Sequence, residues 1–293
     1  MRFDIAVAIG AITTSFAINS VITRYVVLGG YGSPFALTVV RFVSGLVVLI
    51  ALSVFMPRTF PSSKTNEKKS ASYFFGAAFL GAYAFAISYG YLYISAAAGT
   101  FTFYASTLST MSLLSYFEDR DKVILHRVFG QLLAFLGVTL ITFSGIRAVT
   151  PLGVLLLVIT GVSWGCYSQY GRGFSNPFGY TYNSFLIFGI ASIVLSILVY
   201  LFFISSSVNP IWIQFSLNGL GLALYMGMIS TALSYVLWSR VLKRIKGYQG
   251  GVVQLIVPVL AGLMGVFLLH EQISPLLVIG GATILAGIYL NAV

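Results

Sequence analysis

A lone arginine inside a long apolar stretch has the clearest chemical potential of any residue in this sequence. Arg41 lies in an apolar run that begins near residue 33. This places it about eight residues, or roughly 12 Å of helix rise, from the end of a helix. A guanidinium at that depth is costly unless it is paired or faces water. We predict that Arg41 binds a carboxylate or phosphate. The alternative is a structural tie that snorkels outward or bonds the carbonyl groups of a helix end.

Amide and aromatic side chains within other apolar stretches are further candidates for contact with a small molecule. A buried amide must find a hydrogen-bonding partner, and aromatic faces can hold apolar or cationic groups. The alternatives are interhelical hydrogen bonds for the amides and plain packing for the rings. Together with Arg41, the predicted binding residues are Asn19, Tyr83, Tyr104, Trp164, Tyr167, Tyr235 and Gln254.

A proline and two nearby glycines form a candidate hinge or gate. Pro258 lacks a backbone N–H and should kink the helix that contains it. Gly250 and Gly251 precede it and allow bending or close approach of another helix. A static kink is the alternative for all three.

Metal and cofactor chemistry is not predicted. The single cysteine, Cys166, cannot form an intramolecular disulfide. His126 and His270 stand near helix ends and make no metal-binding set with it. We expect Glu118 and Glu271, which also stand at helix ends, to be structural and to bond neighbouring helix ends.

The composition is that of a membrane protein. Hydrophobic residues make up 58% of the chain, charged residues 8%, and the mean hydropathy is +0.97, which excludes a soluble globular domain. The net charge of +10 could suggest nucleic acid. However, the basic residues occupy short gaps between apolar runs, so we predict the lipid bilayer as partner and no nucleic acid.

Ten apolar stretches are each about long enough to span a bilayer as a helix. We therefore predict an all-α integral membrane protein with ten transmembrane helices, and we expect the first apolar stretch to be retained as a helix. The predicted helices cover residues 4–27, 33–56, 72–94, 97–117, 124–145, 150–170, 179–204, 217–241, 247–269 and 273–292.

The basic residues predict the orientation, because lysine and arginine concentrate on the cytoplasmic side of membrane proteins. With the N-terminus inside, Arg24 and Arg147 fall on the outer side. The inner side then holds Arg2, Arg58, Lys64, Lys68, Lys69, Arg120, Lys122, Arg127, Arg172, Arg240, Lys243, Arg244 and Lys246. Both termini are therefore predicted to be cytoplasmic.

A weak internal repeat divides the chain into two predicted domains, residues 1–147 and 148–293. Glu118 precedes a helix with Gly130 and Gly137, and Glu271 precedes a helix with Gly280 and Gly287. Because each half holds five helices, an odd number, the halves must lie in opposite orientations. Inverted repeats are typical of transporters that hold their substrate between the halves.

The second half resembles the EamA-type domain of the drug/metabolite transporter superfamily. The resemblance rests on residues 225–238 (YMGMISTALSYVLW), on 258–262, on Glu271 and on the glycines of the last helix. Ser163-Trp164-Gly165 is similar to the family's first-helix motif, and Arg41-Phe42 matches more loosely. The first half departs at Thr13-Thr14-Ser15, where Trp-Gly is usual, and has no counterpart of Pro258. The resemblance implies two five-helix repeats and alternating access for small metabolites, often amino acids and often outward.

We therefore expect a monomeric secondary transporter of small organic metabolites in the plasma membrane, with amino acids as the first candidates. No acidic residue stands deep in an apolar stretch, so a facilitator or exchanger is favoured over proton antiport of cations. Cationic, nucleotide-like and phosphorylated substrates are alternatives. A channel and an integral membrane enzyme using Glu118, Asp119 and Asp121 are weaker alternatives.

Overall fold

The computed structural model describes residues 3–60, 70–119, 125–142, 149–205, 215–254 and 256–292. In these residues the chain is helical, apart from short joints and an isolated bridge between Gly32 and Phe215. The helices are α1 (Phe3–Leu28), α2 (Pro34–Phe55), α3 (Ser70–Gly90), α4 (Ala96–Asp119), α5 (Leu125–Thr142), α6 (Pro151–Arg172), α7 (Pro177–Ser205), α8 (Leu217–Tyr225), α9 (Ser234–Leu242), α10 (Gly247–Val253), α11 (Ile256–Leu269) and α12 (Pro275–Ala292), with a π-helical segment (Met226–Leu233) between α8 and α9.

The predicted all-helical membrane class is confirmed. Within the described residues, seven helical stretches are long and apolar enough to cross a membrane, and two shorter apolar helices cover Phe129–Ile141 and Pro275–Gly287. The predicted segment 97–117 is not among them, because α4 is rich in serine and threonine. These hydroxyls bond to the carbonyl groups of their own helix, as in the bonds of Thr100 to Ala96 and Thr107 to Phe103. A helix this polar is suited to the interior of a bundle, where it packs on α6, α10 and α11.

Several helices begin at a polar capping residue followed by proline. The Ser33, Thr150 and Ser274 hydroxyls and the Asn176 side-chain Oδ1 each accept a hydrogen bond from a backbone N–H three residues later. Proline follows each of these residues and suits the first helical position, because its missing N–H would have no partner there. The Gly/Pro/Ser joints of the sequence thus define where these helices start.

The predicted helix 247–269 is found as the apolar helical stretch Gly247–Leu269, with a turn at Gln254. α10 ends at Val253 and α11 begins at Ile256. The Val257 amide donates to the Gln254 carbonyl at 3.0 Å, at this turn. Pro258 lies in the first turn of α11, where a missing N–H is tolerated. In the described residues, the departure from regular helix is the turn at Gln254, four residues before the proline.

Paired glycines bring α5 and α12 into close contact. A Cβ on Gly137 would lie 2.5 Å from the Gly280 carbonyl oxygen, and a Cβ on Gly287 would lie 2.4 Å from the Gly130 oxygen. Only glycine allows this approach, which is a common way for helices to pack within a bilayer.

A buried ion pair joins the ends of three elements. Glu271 follows α11 through His270, whose positive φ of 53° lets the Glu271 amide bond back to the Gly265 carbonyl at 3.1 Å. This turn directs the Glu271 carboxylate onto the first amide of α4, Ala96, at 2.8 and 2.9 Å. Arg24 of α1 donates to the same carboxylate at 3.3 Å. The expected structural role of Glu271 is confirmed; the Glu118 side chain lies outside the described residues.

Replacing Gly137 with alanine should destabilise the protein, because the added methyl must push α5 and α12 apart. We expect a loss of about 1–3 kcal/mol in unfolding free energy, set against a gain in helix propensity of about 1 kcal/mol. Thermal unfolding in detergent micelles measures the difference. Gly221→Ala is the matched control, since a Cβ there meets nothing within 4 Å. Equal unfolding midpoints for the two variants would contradict the tight crossing.

Candidate functional site

A small cavity with buried lining side chains, here called the central chamber, lies between helices of both halves of the chain. Its volume is about 10 Å³, room for roughly one water molecule. The helices are therefore closed around the chamber in this conformation. Its walls are Phe16, Asn19, Ser20, Tyr83, Phe103, Tyr104, Trp164 and Tyr235.

Five of the predicted binding residues line the central chamber. They are Asn19, Tyr83, Tyr104, Trp164 and Tyr235, and they come from α1, α3, α4, α6 and α9. Their sequence separation is large, and four of them stand well inside their helices, whereas Tyr235 is the second residue of α9. Depth in the apolar stretch was therefore a useful guide to these positions.

Phe16, Ser20 and Phe103 also line the chamber and were missed by the sequence analysis. The internal repeat of the sequence could have identified Phe16 and Ser20. Ser15-Phe16, Ser20 and Arg24 have the same spacing as Ser163-Trp164, Ser168 and Arg172. Phe16 thus stands where the second half has Trp164, and its ring meets the indole edge-on at 5.5 Å.

The aromatic walls pack on one another and leave little space. The Trp164 ring lies 4.6 Å from Tyr235 and 5.3 Å from Tyr83, measured between ring centroids. Phe103 and Tyr104 are 4.2 Å apart. Tilted and edge-on contacts at these distances are favourable. A metabolite can enter only if these rings and their helices separate.

Arg41 lies directly behind the chamber wall and is fully buried. Its Nη2 donates to the Tyr83 hydroxyl at 3.0 Å and to the Tyr235 hydroxyl at 3.1 Å, and its Nε donates to Thr231 Oγ1 at 2.7 Å. In the described part of the chain, no carboxylate forms a salt bridge with it. Hydroxyl dipoles and the nearby ring of Phe42, 5.2 Å from Cζ, surround the charge instead.

The π-helical segment provides one of these partners. Thr231 lies within it, and Tyr235 follows in the next turn. The backbones of α2 and this segment nearly touch, since a Cβ on Gly227 would lie 2.2 Å from the Arg41 carbonyl oxygen. The close approach lets the arginine reach across to the second half. Segments of π-helix are frequent at functional sites, but residues 226–233 give no clear sequence signal for one.

Gln254 and Tyr167 do not line the chamber but support Trp164 from behind. The Trp164 indole N–H donates to Gln254 Oε1 at 2.9 Å, and Gln254 Nε2 donates to the Gly250 carbonyl at 2.8 Å. The Tyr167 ring is stacked against Trp164 at 5.6 Å. These contacts connect the chamber wall to the turn at Gln254 between α10 and α11.

The candidate hinge residues lie near this same turn. A Cβ on Gly250 would come within 2.9 Å of Met111, and one on Gly251 within 2.5 Å of Leu108. The glycine pair therefore lets α10 pack closely against α4. Pro258 lies in the first turn of α11 on the other side, so all three residues flank the turn at Gln254.

A second, apolar groove lies away from the central chamber. This groove has a volume of about 660 Å³, is lined mainly by valine, isoleucine and leucine, and lies between α2, α7 and α8. Its apolar lining is suited to lipid chains rather than to a polar metabolite. Within the described residues, no group of three or more His, Cys, Asp or Glu side chains could hold a metal ion.

Removing either tyrosine hydroxyl should destabilise the protein, because buried Arg41 then loses a hydrogen-bonding partner. Tyr83→Phe and Tyr235→Phe are each expected to cost about 1.5–3 kcal/mol of unfolding free energy, the usual range for a bond to a charged group. Thermal unfolding in micelles is the measurement. The control is Tyr200→Phe on the outer apolar surface, where the side chain is 47% exposed. If all three variants have the same unfolding midpoint, the tyrosine hydroxyls do not stabilise buried Arg41.

The sequence of the chain is similar to those of known proteins. The family model described as the EamA-like transporter family matches residues 151–293. The chain is 30% identical to the uncharacterized protein PA1977 of Pseudomonas aeruginosa over 278 residues, which cover 94% of this chain and 90% of the relative. It is 24% identical to an uncharacterized transporter of Clostridium kluyveri, covering 89% of this chain and 84% of that protein.

A further relative and a solved structure agree with these matches. An uncharacterized transporter of Archaeoglobus fulgidus is 26% identical over 204 residues, 70% of each chain. A crystal structure with 20% sequence identity superposes with a TM-score of 0.66 over 97% of this chain and 94% of the other, and that likeness shows the fold alone. The family and the relatives' names point to a membrane transporter rather than an enzyme. This chain belongs to the EamA-like transporter family.

Proposed function

We propose that this protein is a secondary transporter that moves small organic metabolites, in the first place amino acids and related compounds, across the plasma membrane by alternating access. The observation that carries the proposal is the central chamber, whose lining side chains are all buried, with the buried charge of Arg41 behind two of its tyrosines. We take the working unit to be a monomer in the bilayer, with no nucleic-acid partner.

The inferred architecture is ten transmembrane helices in two inverted repeats, residues 1–147 and 148–293. Many helix contacts occur twice, and the second contact is the first with each helix replaced by its equivalent in the other half. α4 packs on α6 while α11 packs on α1, and α3 packs on α7 while α2 packs on the π-helical segment. The glycine contacts are repeated in the same way. With an offset of about 150 residues, Gly137 corresponds to Gly287 and Gly280 corresponds to Gly130, so the Gly137–Gly280 contact corresponds to the Gly287–Gly130 contact.

A second repeated pattern supports this pairing. Pro34-Phe35, Thr38 and Phe42 have the spacing of Pro177-Phe178, Thr181 and Phe185. The rings of Phe42 and Phe185 contact each other at 5.1 Å between centroids, as expected for equivalent residues beside a two-fold axis. Ser184 occupies the position that corresponds to Arg41, so the charge belongs to one half only.

The proposed role of Arg41 is to bind the carboxylate of the substrate. In the closed structure the Tyr83 and Tyr235 hydroxyls accept hydrogen bonds from the guanidinium, which leaves their own O–H groups able to donate. A carboxylate entering the chamber can accept from both hydroxyls and, when one of them swings aside, from Arg41 itself. Charge-assisted bonds of this kind are about twice as strong as neutral ones.

The ion pair of Arg24 and Glu271 is the proposed outer closure. The excess of basic residues on the opposite side supports the proposal that both termini are cytoplasmic and that this pair lies at the outer face. The pair connects α1, the start of α4 and the end of α11, which come from both halves. Alternating access requires these elements to separate on one side while the other side closes, with Gly250, Gly251 and Pro258 as the proposed hinge.

Coupling to a proton or sodium gradient is not part of the proposal. None of the six acidic residues of the sequence lies deep in a predicted apolar stretch, and a carboxylate within the membrane is the usual carrier of a coupling ion. We therefore favour a facilitator or exchanger, acting as an exporter where the metabolite is abundant in the cytoplasm.

Counterflow tests both the mechanism and the substrate class. Liposomes with purified protein are preloaded with a mixture of unlabelled amino acids and supplied with labelled ones outside, without an ion gradient. We expect transient accumulation of label, because a carrier exchanges bound molecules while a channel lets them equilibrate. Arg41→Ala should lower this uptake at least tenfold, since it removes a charge-assisted interaction of about 1.5–3 kcal/mol.

Arg41→Lys separates folding from binding, because it keeps the charge but cannot reach all three partners. Each variant is first shown to be folded by size-exclusion chromatography and by thermal unfolding. Unchanged uptake in folded Arg41→Ala would retain the transporter and remove the carboxylate role. No uptake of any amino acid by the wild type would redirect the search to nucleotide-like, phosphorylated and cationic metabolites.

A further inference from the structure

We infer that Asn19 binds the ammonium group of the transported molecule, so that the central chamber selects zwitterions over cations and over simple carboxylates. This inference rests on the proposed function, which assigns Arg41 to the carboxylate. It adds a second binding group and a rule for which amines and acids are excluded.

The Asn19 side chain is built to receive a hydrogen-bond donor that the closed structure does not supply. The residue is only 3% exposed and lines the central chamber. Its Oδ1 is buried and has no hydrogen-bonding partner among the described residues. An unpaired acceptor of this kind costs about 1–3 kcal/mol, and it is retained where a ligand or a water completes it.

The surroundings of Asn19 favour a positively charged donor over a neutral one. Phe16, Tyr83, Tyr104 and Trp164 present rings to the same small cavity. The faces of such rings attract cations, tryptophan most strongly. An ammonium group has three N–H donors, so it can bond to Oδ1 while its remaining surface meets the rings.

The charge of Arg41 decides which ammonium compounds are admitted. Arg41 touches Tyr83 and Tyr235, both of which line the chamber, and in the described residues it has no carboxylate partner. A monoamine would add a second positive charge close to the first in a poorly screened interior, which is strongly repulsive. A carboxylate on the same molecule removes that repulsion. The chamber therefore requires both charges on one molecule, the ammonium toward Asn19 and the carboxylate toward Arg41.

Competition in the counterflow assay tests this rule. The amino acid with the highest counterflow among the common L-amino acids is the labelled probe; for L-leucine the competitors are unlabelled L-leucine, L-leucine methyl ester and isocaproate. We expect the wild type to prefer the amino acid to each single-charge analogue by about tenfold or more. Equal competition by the ester or by the deaminated acid would overturn the rule.

Two substitutions at Asn19 separate binding from packing. Asn19→Leu should reduce the preference for the amino acid over the deaminated acid about tenfold and leave the discrimination against the ester in place. Asn19→Asp should improve competition by the methyl ester, because a carboxylate then faces the ammonium and offsets Arg41. Asn183→Leu is the matched control, because that residue does not line the chamber and its amide bonds within α7 to Gly179.

The outcomes distinguish this inference from the proposed function. Counterflow by the wild type with an unchanged preference in folded Asn19→Leu would overturn the role of Asn19 alone, and would assign its partner to an ordered water. Weaker competition by the ester in Asn19→Asp would likewise contradict an acceptor role. Absence of amino-acid counterflow in the wild type would overturn this inference together with the amino-acid part of the proposed function.

Discussion

The burial of one positive charge that no carboxylate among the described residues pairs with is the constraint on which the centre of this molecule depends. Arg41 must satisfy its guanidinium with hydroxyl groups, and these come from α3, from the π-helical segment and from α9. Two of the three partners belong to the other half of the chain. The same contacts that make the arginine tolerable therefore hold the two halves together at the chamber, and any anion that binds there competes with them.

The closed chamber is stabilised by contacts that can be exchanged rather than by permanent ones. Rings in tilted contact, hydroxyls that both accept and donate, and an amide oxygen with no partner in the described part of the chain line a space of about 10 Å³. Each can form an alternative contact with a small molecule at little cost. By contrast, the glycine crossings of α5 and α12 depend on backbone approach and have no comparable alternative. Rigid and exchangeable contacts thus occupy different parts of the bundle.

Polar helix ends and a polar helix surround this centre. α4 satisfies its hydroxyls on its own backbone, so it can lie among other helices without unpaired groups. Glu271 supplies two acceptors to the first amide of α4 and holds Arg24, which makes the end of one half depend on the other. A buried pair of this type is stable only while both members remain, a property suited to a contact that must break as a unit.

The sequence by itself determined the membrane class, the helix starts at Ser33-Pro34 and Thr150-Pro151, and the family from residues in its second half. It also indicated Asn19, Tyr83, Tyr104, Trp164 and Tyr235, because position along an apolar stretch gives the depth of a residue in the bilayer. Position along the stretch does not determine the direction in which a side chain points. Most of these helices are apolar on all sides, so periodicity does not reveal which face turns inward.

Only the tertiary structure could decide which of the deep residues meet. It places Arg41 behind Tyr83 and Tyr235 and sets Gln254 and Tyr167 behind Trp164. It adds Phe16, Ser20 and Phe103 to the chamber and places a turn at Gln254, before Pro258. The rotation of each helix about its axis depends on its neighbours, since glycine crossings and interhelical hydrogen bonds determine it jointly. These are long-range contacts that local spacing does not contain.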